Sequence, residues 1–310
     1  MSSAADGAVA QLEGVSHRFG DFQVLRDVSL TVQRGDVYGL LGLNGAGKTT
    51  TLRLMLSLIT LQTGRIHMFG STIPGRWLDV AARVGAMIES PALYPHLDGL
   101  TNLRLLHDLA GRPPGRTPEA ALELVGLTRA ARVQARRYSQ GMQQRLYIAQ
   151  ALLGHPDLLM LDEPTSNLDP RGIFEVRELI RKLSQEEGVT VILSSHQLHE
   201  VEDVCNRIAI LHKGRRVAEA ELRTLFGADA AWLEIGSPRP REVLELMATL
   251  PWCRDGEACG DERVRAHVPR DRRAELNAAL VQKGLPIVEL VERRPTLEDY
   301  FRHAVEDHDA

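Results

Sequence analysis

The stretch Gly42-Leu43-Asn44-Gly45-Ala46-Gly47-Lys48-Thr49-Thr50 constrains this chain more than any other. It carries the spacing G-x-x-x-x-G-K-[ST], in which a glycine-rich turn between a strand and a helix wraps its backbone N–H groups around a phosphate. The flanks have the form this requires. Asp36 to Leu41 reads as a short buried strand, and Thr49 to Leu61 as a helix with Leu52, Met55, Leu56 and Ile59 at helical spacing. The helix N-terminus adds partial positive charge, the Lys48 ammonium can reach β- and γ-phosphates, and Thr49 can offer its hydroxyl to Mg²⁺. A glycine-rich turn that carried Lys-Thr by chance would not need that strand and helix.

Composition sets the outer limits. A chain of 310 residues, 44% hydrophobic and 25% charged, suits an ordinary globular protein of about two domains. The formal charge of −4 gives no overall pull toward nucleic acid or anionic lipid, so no nucleic-acid partner is expected. Three cysteines (Cys205, Cys253, Cys259) without metal-ligand spacing argue for a reducing compartment and against a zinc site. No apolar run approaches the ~18 residues of a membrane span, and residues 1–9 read as a flexible small-residue tail without the features of a secretion signal. A cytoplasmic protein is expected; work at a membrane would require a partner that spans it.

Residues 10–34 alternate apolar and polar twice, which predicts a small antiparallel sheet ahead of the core. Phe19, just before Gly20, is a candidate for stacking on a base; a plain core Phe fits the position as well. After the first helix, Gly64–Gly70 and Val84–Glu89 read as strands, the second ending in a carboxylate. Residues 91–135 read as helical, broken at Gly111-Arg112-Pro113-Pro114-Gly115. Tyr138-Ser139-Gln140-Gly141-Met142 then opens a helix running to about Leu153. The apolar strand Leu158–Leu161 delivers Asp162 and Glu163 at its C-terminal end, where ligands collect in parallel α/β sheets. Ser166 to Pro170 reads as a turn and cap, and Val189–Ser194 as a strand leading to Ser195-His196. The last ~85 residues read as β-α-β-α-β-α with an extra strand near Cys259, a small α+β accessory domain.

This order of motifs resembles the ATP-hydrolysing subunit of ABC transporters over roughly residues 10–225. A phosphate loop alone would also admit kinases, GTPases and helicases, but the Ser139-Gln140-Gly141 segment and the His196 loop around Asp162-Glu163 do not fit those families. The resemblance implies an α/β phosphate-loop ATPase with a RecA-like core, an antiparallel β subdomain and a helical subdomain at about 91–150, followed by the accessory domain at 226–310. ATP and Mg²⁺ are the implied cofactors. Gly42, Asn44, Gly45, Ala46, Gly47, Lys48, Thr49 and Thr50 would hold the phosphates, with Phe19 against the base. Asp162 would hold Mg²⁺ with Thr49, and Glu163 would accept a proton from the attacking water. Paired acids after a strand can also merely cap a helix, and a lone histidine is usually structural. The resemblance gives His196 the task of fixing the geometry of the water at the γ-phosphate.

The resemblance also implies a dimer. In the family, the signature segment completes the site of the facing subunit, with Ser139, Gln140, Gly141 and the following helix N-terminus turned to an anion. One loop and one signature per chain then imply a second copy of itself, and Asp169 resembles the residue that communicates across the pair. An integral membrane permease is the other implied partner, which puts the chain on the cytoplasmic face of the cell membrane.

Two departures stand out. The usual Leu-Ser-Gly-Gly-Gln reads here Tyr138-Ser139-Gln140-Gly141-Met142. Where most of the family has a Gln that touches Mg²⁺ and senses the membrane partner, this chain has Glu89, a harder metal ligand without an N–H donor. No Gln lies between Gln62 and Gln134, which favours Glu89 as the sensor over a plain surface Glu. Gly85 to Pro95 resembles the subgroup that exports, or confers immunity to, peptide antibiotics such as bacitracin and lantibiotics. Arg294-Pro295-Thr296-Leu297-Glu298-Asp299-Tyr300-Phe301 resembles the ending of drug-export ATPase subunits. The expected function is therefore an ATP-driven export subunit. A metal, sodium or lipid exporter is the nearest alternative, and a non-transport ATPase of the superfamily a more distant one, since Lys48 and Ser139 stand too close for an intervening long coiled coil.

Overall fold

Two long alternating runs open the computed structural model, which describes residues 7–89, 93–225, 232–293 and 296–309. The readings made on residues 1–6, Ser90, Pro91, Ala92, Ala230, Arg294 and Pro295 lie outside these. Strands β1 (Ala8–Phe19) and β2 (Phe22–Gln33) form an antiparallel hairpin whose register sets Leu12 opposite Leu30 and Ala10 opposite Val32. Period-2 alternation sends these side chains to one face, and they are buried there. The first strand starts at Ala8, inside the tail expected at 1–9. Strand β3 (Val37–Leu41) is buried along its whole length and feeds the phosphate loop.

Helix α1 (Lys48–Met55) is shorter than the predicted 49–61. Ser57 takes φ +56 and donates its N–H to Leu54 O at 3.0 Å, while Leu58 N–H donates to Arg53 O at 2.9 Å. This is a Schellman stop, usually built on glycine. Serine occupies the left-handed position here, so the sequence carries no stop signal. Strands β4 (Thr63–Met68) and β5 (Ser71–Ile73), helix α2 (Trp77–Ala81) and strand β6 (Val84–Met87) follow. Strand β6 ends at Met87, so Glu89 stands beyond the strand rather than at its end; it turns away with φ +61.

Helices α3 (Gly99–Leu109), α4 (Pro118–Leu124) and α5 (Gln140–Ala151) form the helical segment. The chain then returns through β7 (Leu158–Asp162), α6 (Pro170–Gln185), β8 (Thr190–Ser195), α7 (Leu198–Glu202), β9 (Arg207–His212) and β10 (Arg215–Glu221). The antiparallel sheet runs β2-β1-β4-β5, and the central sheet β10-β9-β3-β8-β7-β6. Pairing of β3 with β8 and β9, and of β7 with β6 and β8, is parallel throughout. Strands buried on both faces read as continuous apolar runs, as Leu158-Leu159-Met160-Leu161 does. Their C-terminal ends share one edge, which gathers the phosphate loop, Asp162-Glu163 and Ser195-His196. Val9, Leu12 and Leu30 from the antiparallel sheet share one core with Leu52 and Met55 of α1 and with Ile192 and Leu211 of the central sheet.

The chain divides into two units, Met1–Ala220 with Ala304–Ala310, and Glu221–His303. The division falls at 220/221, where the sequence reading puts the boundary at 225/226. The second unit comprises α8 (Leu222–Leu225), β11 (Trp232–Gly236), α9 (Pro240–Ala248), β12 (Arg254–Ala258), β13 (Arg263–His267), α10 (Arg273–Gln282), β14 (Glu289–Arg293) and most of α11 (Leu297–Asp309). Its sheet order β12-β13-β11-β14 is antiparallel, the split β-α-β arrangement of ferredoxin-like folds. Strand β12 is the extra strand anticipated near Cys259. Leu233, Ile235, Val243, Met247, Val264 and Leu276 give this unit its own apolar interior. Among the described residues no helix is long and apolar enough to cross a membrane.

Candidate functional site

The loop between β3 and α1 is shaped by its glycines. Gly42 (φ +156) has no room for a side chain, since a Cβ would lie 2.4 Å from the Leu211 carbonyl oxygen of β9. Gly47 takes φ +106 as the N-cap of α1, and a Cβ there would lie 2.4 Å from Leu25 Cδ2. Positive φ at Gly45 and Gly47 turns successive N–H groups inward, the geometry of an anion-binding nest. Asn44 and Gly45 are exposed at the tip, Ala46 is buried, and Thr50 packs into the core side of α1.

Lys48, the first residue of α1, is buried among polar partners. Its Nζ donates to the Gly42 carbonyl at 2.7 Å and lies 3.3 Å from Glu163 Oε1. Thr49 Oγ1 donates to Asp162 Oδ2 at 2.8 Å. His196 Nδ1 lies 2.5 Å from Glu163 Oε2. Lys48, Thr49, Asp162, Glu163 and His196, drawn from three separate stretches of sequence, thus form one connected cluster on the C-terminal edge of β3, β7 and β8. A carboxylate on a buried ammonium, a second on a hydroxyl and an imidazole on the first suit phosphoryl transfer, where positioned charge and a proton acceptor do the chemistry. Oxygen donors from Thr49 and Asp162 are hard ligands of the kind Mg²⁺ takes alongside phosphate oxygens.

Other predicted residues stand apart from the cluster. Phe19, at the tip of the β1–β2 hairpin, is 48% exposed and meets His17 edge to face at 4.7 Å. Ser139 caps α5, its Oγ accepting Met142 N–H at 3.2 Å, and Gln140 is exposed beside it. Asp169 caps α6 in the same way, accepting Gly172 N–H at 2.9 Å. The two caps adjoin: a Cβ on Gly141 would lie 3.6 Å from Gly172 Cα, and Arg145 of α5 pairs with Glu175 of α6 at 3.1 Å. Among the described residues no hydrogen bond joins Ser139, Gln140 or Gly141 to the Lys48 cluster. Glu89 forms an ion pair with Arg53 on α1 and is largely exposed.

Sequence reasoning assigned no role to Ser194 or Arg53. The first is a polar residue that follows the apolar run Val191-Ile192-Leu193 of β8, one place short of the histidine loop. The second is the basic residue of the last turn of α1, and only the three-dimensional fold sets it against Glu89.

Fold and cluster together define a phosphate-loop nucleoside triphosphatase. The ABC transporter family profile matches residues 25–166. Bacitracin transport ATP-binding protein BcrA of Bacillus licheniformis is 34% identical over 91% of this chain and 92% of its own length. BcrA of Enterococcus faecalis is 35% identical over 94% and 95%, and daunorubicin resistance ATP-binding protein DrrA3 of Streptomyces coeruleorubidus 34% over 98% and 97%. Among solved structures, the cassette MJ0796 in a dimeric post-hydrolysis state bound to ADP and Pi superposes with a TM-score of 0.60 at 25% identity, covering 69% of this chain and 99% of that one. The chain belongs to the ABC transporter family, as one of its ATP-binding, ATP-hydrolysing subunits.

Proposed function

We propose that the chain powers a separate membrane-embedded permease that exports a peptide antibiotic or related drug, working as a twofold pair on the cytoplasmic face of the membrane. The observation that carries this reading is the likeness to bacitracin transport ATP-binding proteins along nearly the whole chain, accessory unit included. Glu89 at the position of the usual Gln supports the same subgroup.

In this reading the loop N–H groups and Lys48 bind the β- and γ-phosphates of ATP, and Phe19 stacks on the base. Thr49 and Asp162 would hold Mg²⁺, which when bound would supply charge neutralisation at the phosphate oxygens. Glu163 takes the proton of the attacking water as oxygen bonds to the γ-phosphorus and the bond to the β-phosphate oxygen breaks. His196, on the other Glu163 oxygen, fixes the direction of that carboxylate. Ser139, Gln140 and Gly141 of a second copy close over the γ-phosphate, and Asp169 lies beside them because the two helix caps adjoin. Glu89 carries the signal to the permease.

The test is co-expression with candidate ABC permeases in a bacitracin-sensitive host. Resistance that requires both polypeptides, and is abolished by Lys48→Ala, is the expected result. Co-purification with a permease but no change in sensitivity to bacitracin or lantibiotics would remove the substrate assignment.

A further inference from the structure

Ser194 lies outside the motifs named above, yet it contacts both Asp162 and Glu163. It sits in β8, directly opposite Asp162 of β7 in the parallel register, and is fully buried. Its Oγ donates to Asp162 Oδ1 at 2.5 Å and accepts the Glu163 N–H at 2.9 Å. A hydroxyl has one proton to give and lone pairs to receive, so a single side chain satisfies both neighbours.

The backbone at Glu163 shows why this matters. Its φ is +49, in the left-handed region, which strains a residue with a Cβ. Such a conformation persists only where surrounding contacts hold it. The Glu163 N–H is held by Ser194, and the Glu163 carbonyl accepts Ser166 N–H at 3.1 Å. This turn sets the direction in which the Glu163 side chain leaves the strand, toward Lys48 and His196. Asp162 is gripped in a complementary way, with Thr49 on one oxygen and Ser194 on the other. If Thr49 and Asp162 turn toward a shared Mg²⁺, the Thr49 contact must yield, whereas the Ser194 contact lies on the other oxygen.

We propose that Ser194 is a positioning residue of the hydrolytic centre, one buried hydroxyl that fixes both the Asp162 carboxylate and the strained turn aiming Glu163. The inference rests on the roles given above to Asp162 and Glu163. A serine that merely filled space would be replaceable by alanine, which removes one atom from a packed site. Under the proposal, Ser194→Ala removes the one hydroxyl that serves both the Glu163 N–H and Asp162 Oδ1 at a fully buried position.

The experiment compares the full-length wild type with Ser194→Ala and Ser194→Thr. Folding is checked by circular dichroism, ATP turnover across a Mg²⁺ titration, and binding of a non-hydrolysable ATP analogue by calorimetry, with Mg²⁺ and with EDTA. For Ser194→Ala, kcat should fall about tenfold, and KM for MgATP should rise in step with the analogue's loss of Mg²⁺-dependent affinity. The Mg²⁺-dependent gain in analogue affinity should shrink several-fold, with binding in EDTA unchanged. Hydrogen exchange at the Glu163 amide should quicken in Ser194→Ala and slow again in Ser194→Thr, which keeps the hydroxyl. A folded Ser194→Ala with wild-type kcat, Mg²⁺ response and Glu163 amide protection overturns the proposal. The amide readout and the threonine variant decide the matter even if alanine lowers stability. Fast hydrolysis by Glu163→Gln would instead bring down the underlying assignment of the base, so the two failures are told apart.

Discussion

The Lys48 ammonium stands 3.3 Å from one oxygen of Glu163 while His196 Nδ1 stands 2.5 Å from the other. One carboxylate therefore joins the phosphate loop to the histidine loop. Replacing it by an amide removes the proton acceptor but leaves the ammonium free for phosphate. Glu163→Gln is expected to bind ATP at least as tightly as the wild type and to hydrolyse it about 100-fold more slowly or worse. It should also accumulate as an ATP-dependent pair. Single-turnover hydrolysis and sizing by light scattering check this, and wild-type turnover would count against Glu163 as the base.

Lys48→Ala removes the cation from the loop. ATP affinity is expected to fall at least tenfold and turnover to be lost, as measured with a fluorescent nucleotide and a phosphate-release assay. Unchanged affinity would undo the reading of the loop as the phosphate site.

Gly42 and Gly47 leave no room for a methyl group. Gly42→Ala would press a Cβ against the Leu211 carbonyl, and Gly47→Ala against Leu25 with φ +106 besides. Either substitution is expected to cost about 1–3 kcal/mol of stability and to abolish nucleotide binding. Gly45→Ala, where nothing lies within 4 Å of the added carbon, carries only the backbone cost of φ +81. Thermal melts in the presence and absence of ATP would rank the three variants, and equal melting points would refute the steric argument.

In the Glu89–Arg53 pair the carboxylate is largely exposed and the arginine half-buried, so its own contribution to stability is at most about 1 kcal/mol. Glu89→Ala should leave the melting temperature almost unchanged. As a coupling contact it should reduce transport at least as much as basal ATP hydrolysis, measured in vesicles holding the permease. Damage confined to hydrolysis would demote it to a surface residue.

In the accessory unit, hydrogen bonds from Arg273 (2.8 Å) and Arg270 (3.1 Å) hold the Glu292 carboxyl down from its ordinary 4.5 to about 2. A carboxyl depressed in the folded state contributes stability that is fully present above its unfolded pKa and lost as pH falls toward the folded one. Arg273→Ala should therefore lower the melting temperature near neutral pH, and the difference from wild type should close between about pH 4.5 and pH 2. A deficit that persisted unchanged to pH 2 would point to lost packing of the arginine stem instead.

Much of this arrangement was legible in the chain itself. The phosphate loop announced its strand and helix, and Leu158 to Glu163 announced a buried strand with acids at its end. What escaped notice was set by tertiary register. Ser57 stops α1 from a left-handed position that glycine usually fills, so the helix was read six residues too long. Strands β9 and β10 were not singled out, although β9 lies directly beside β3 and supplies the carbonyl that Gly42 approaches. Ser194 looked like an ordinary strand residue because its importance comes from facing Asp162 across two parallel strands. Arg53 and Glu89 are far apart in sequence, and neither hints at the other.

The start of α5 leans on the start of α6, glycine against glycine, with Arg145 and Glu175 clamped across them. Ser139 and Asp169 are therefore two prongs of a single tool. A neighbouring molecule that pushes on one pushes on both, and whatever it learns about the serine it learns about the aspartate in the same instant.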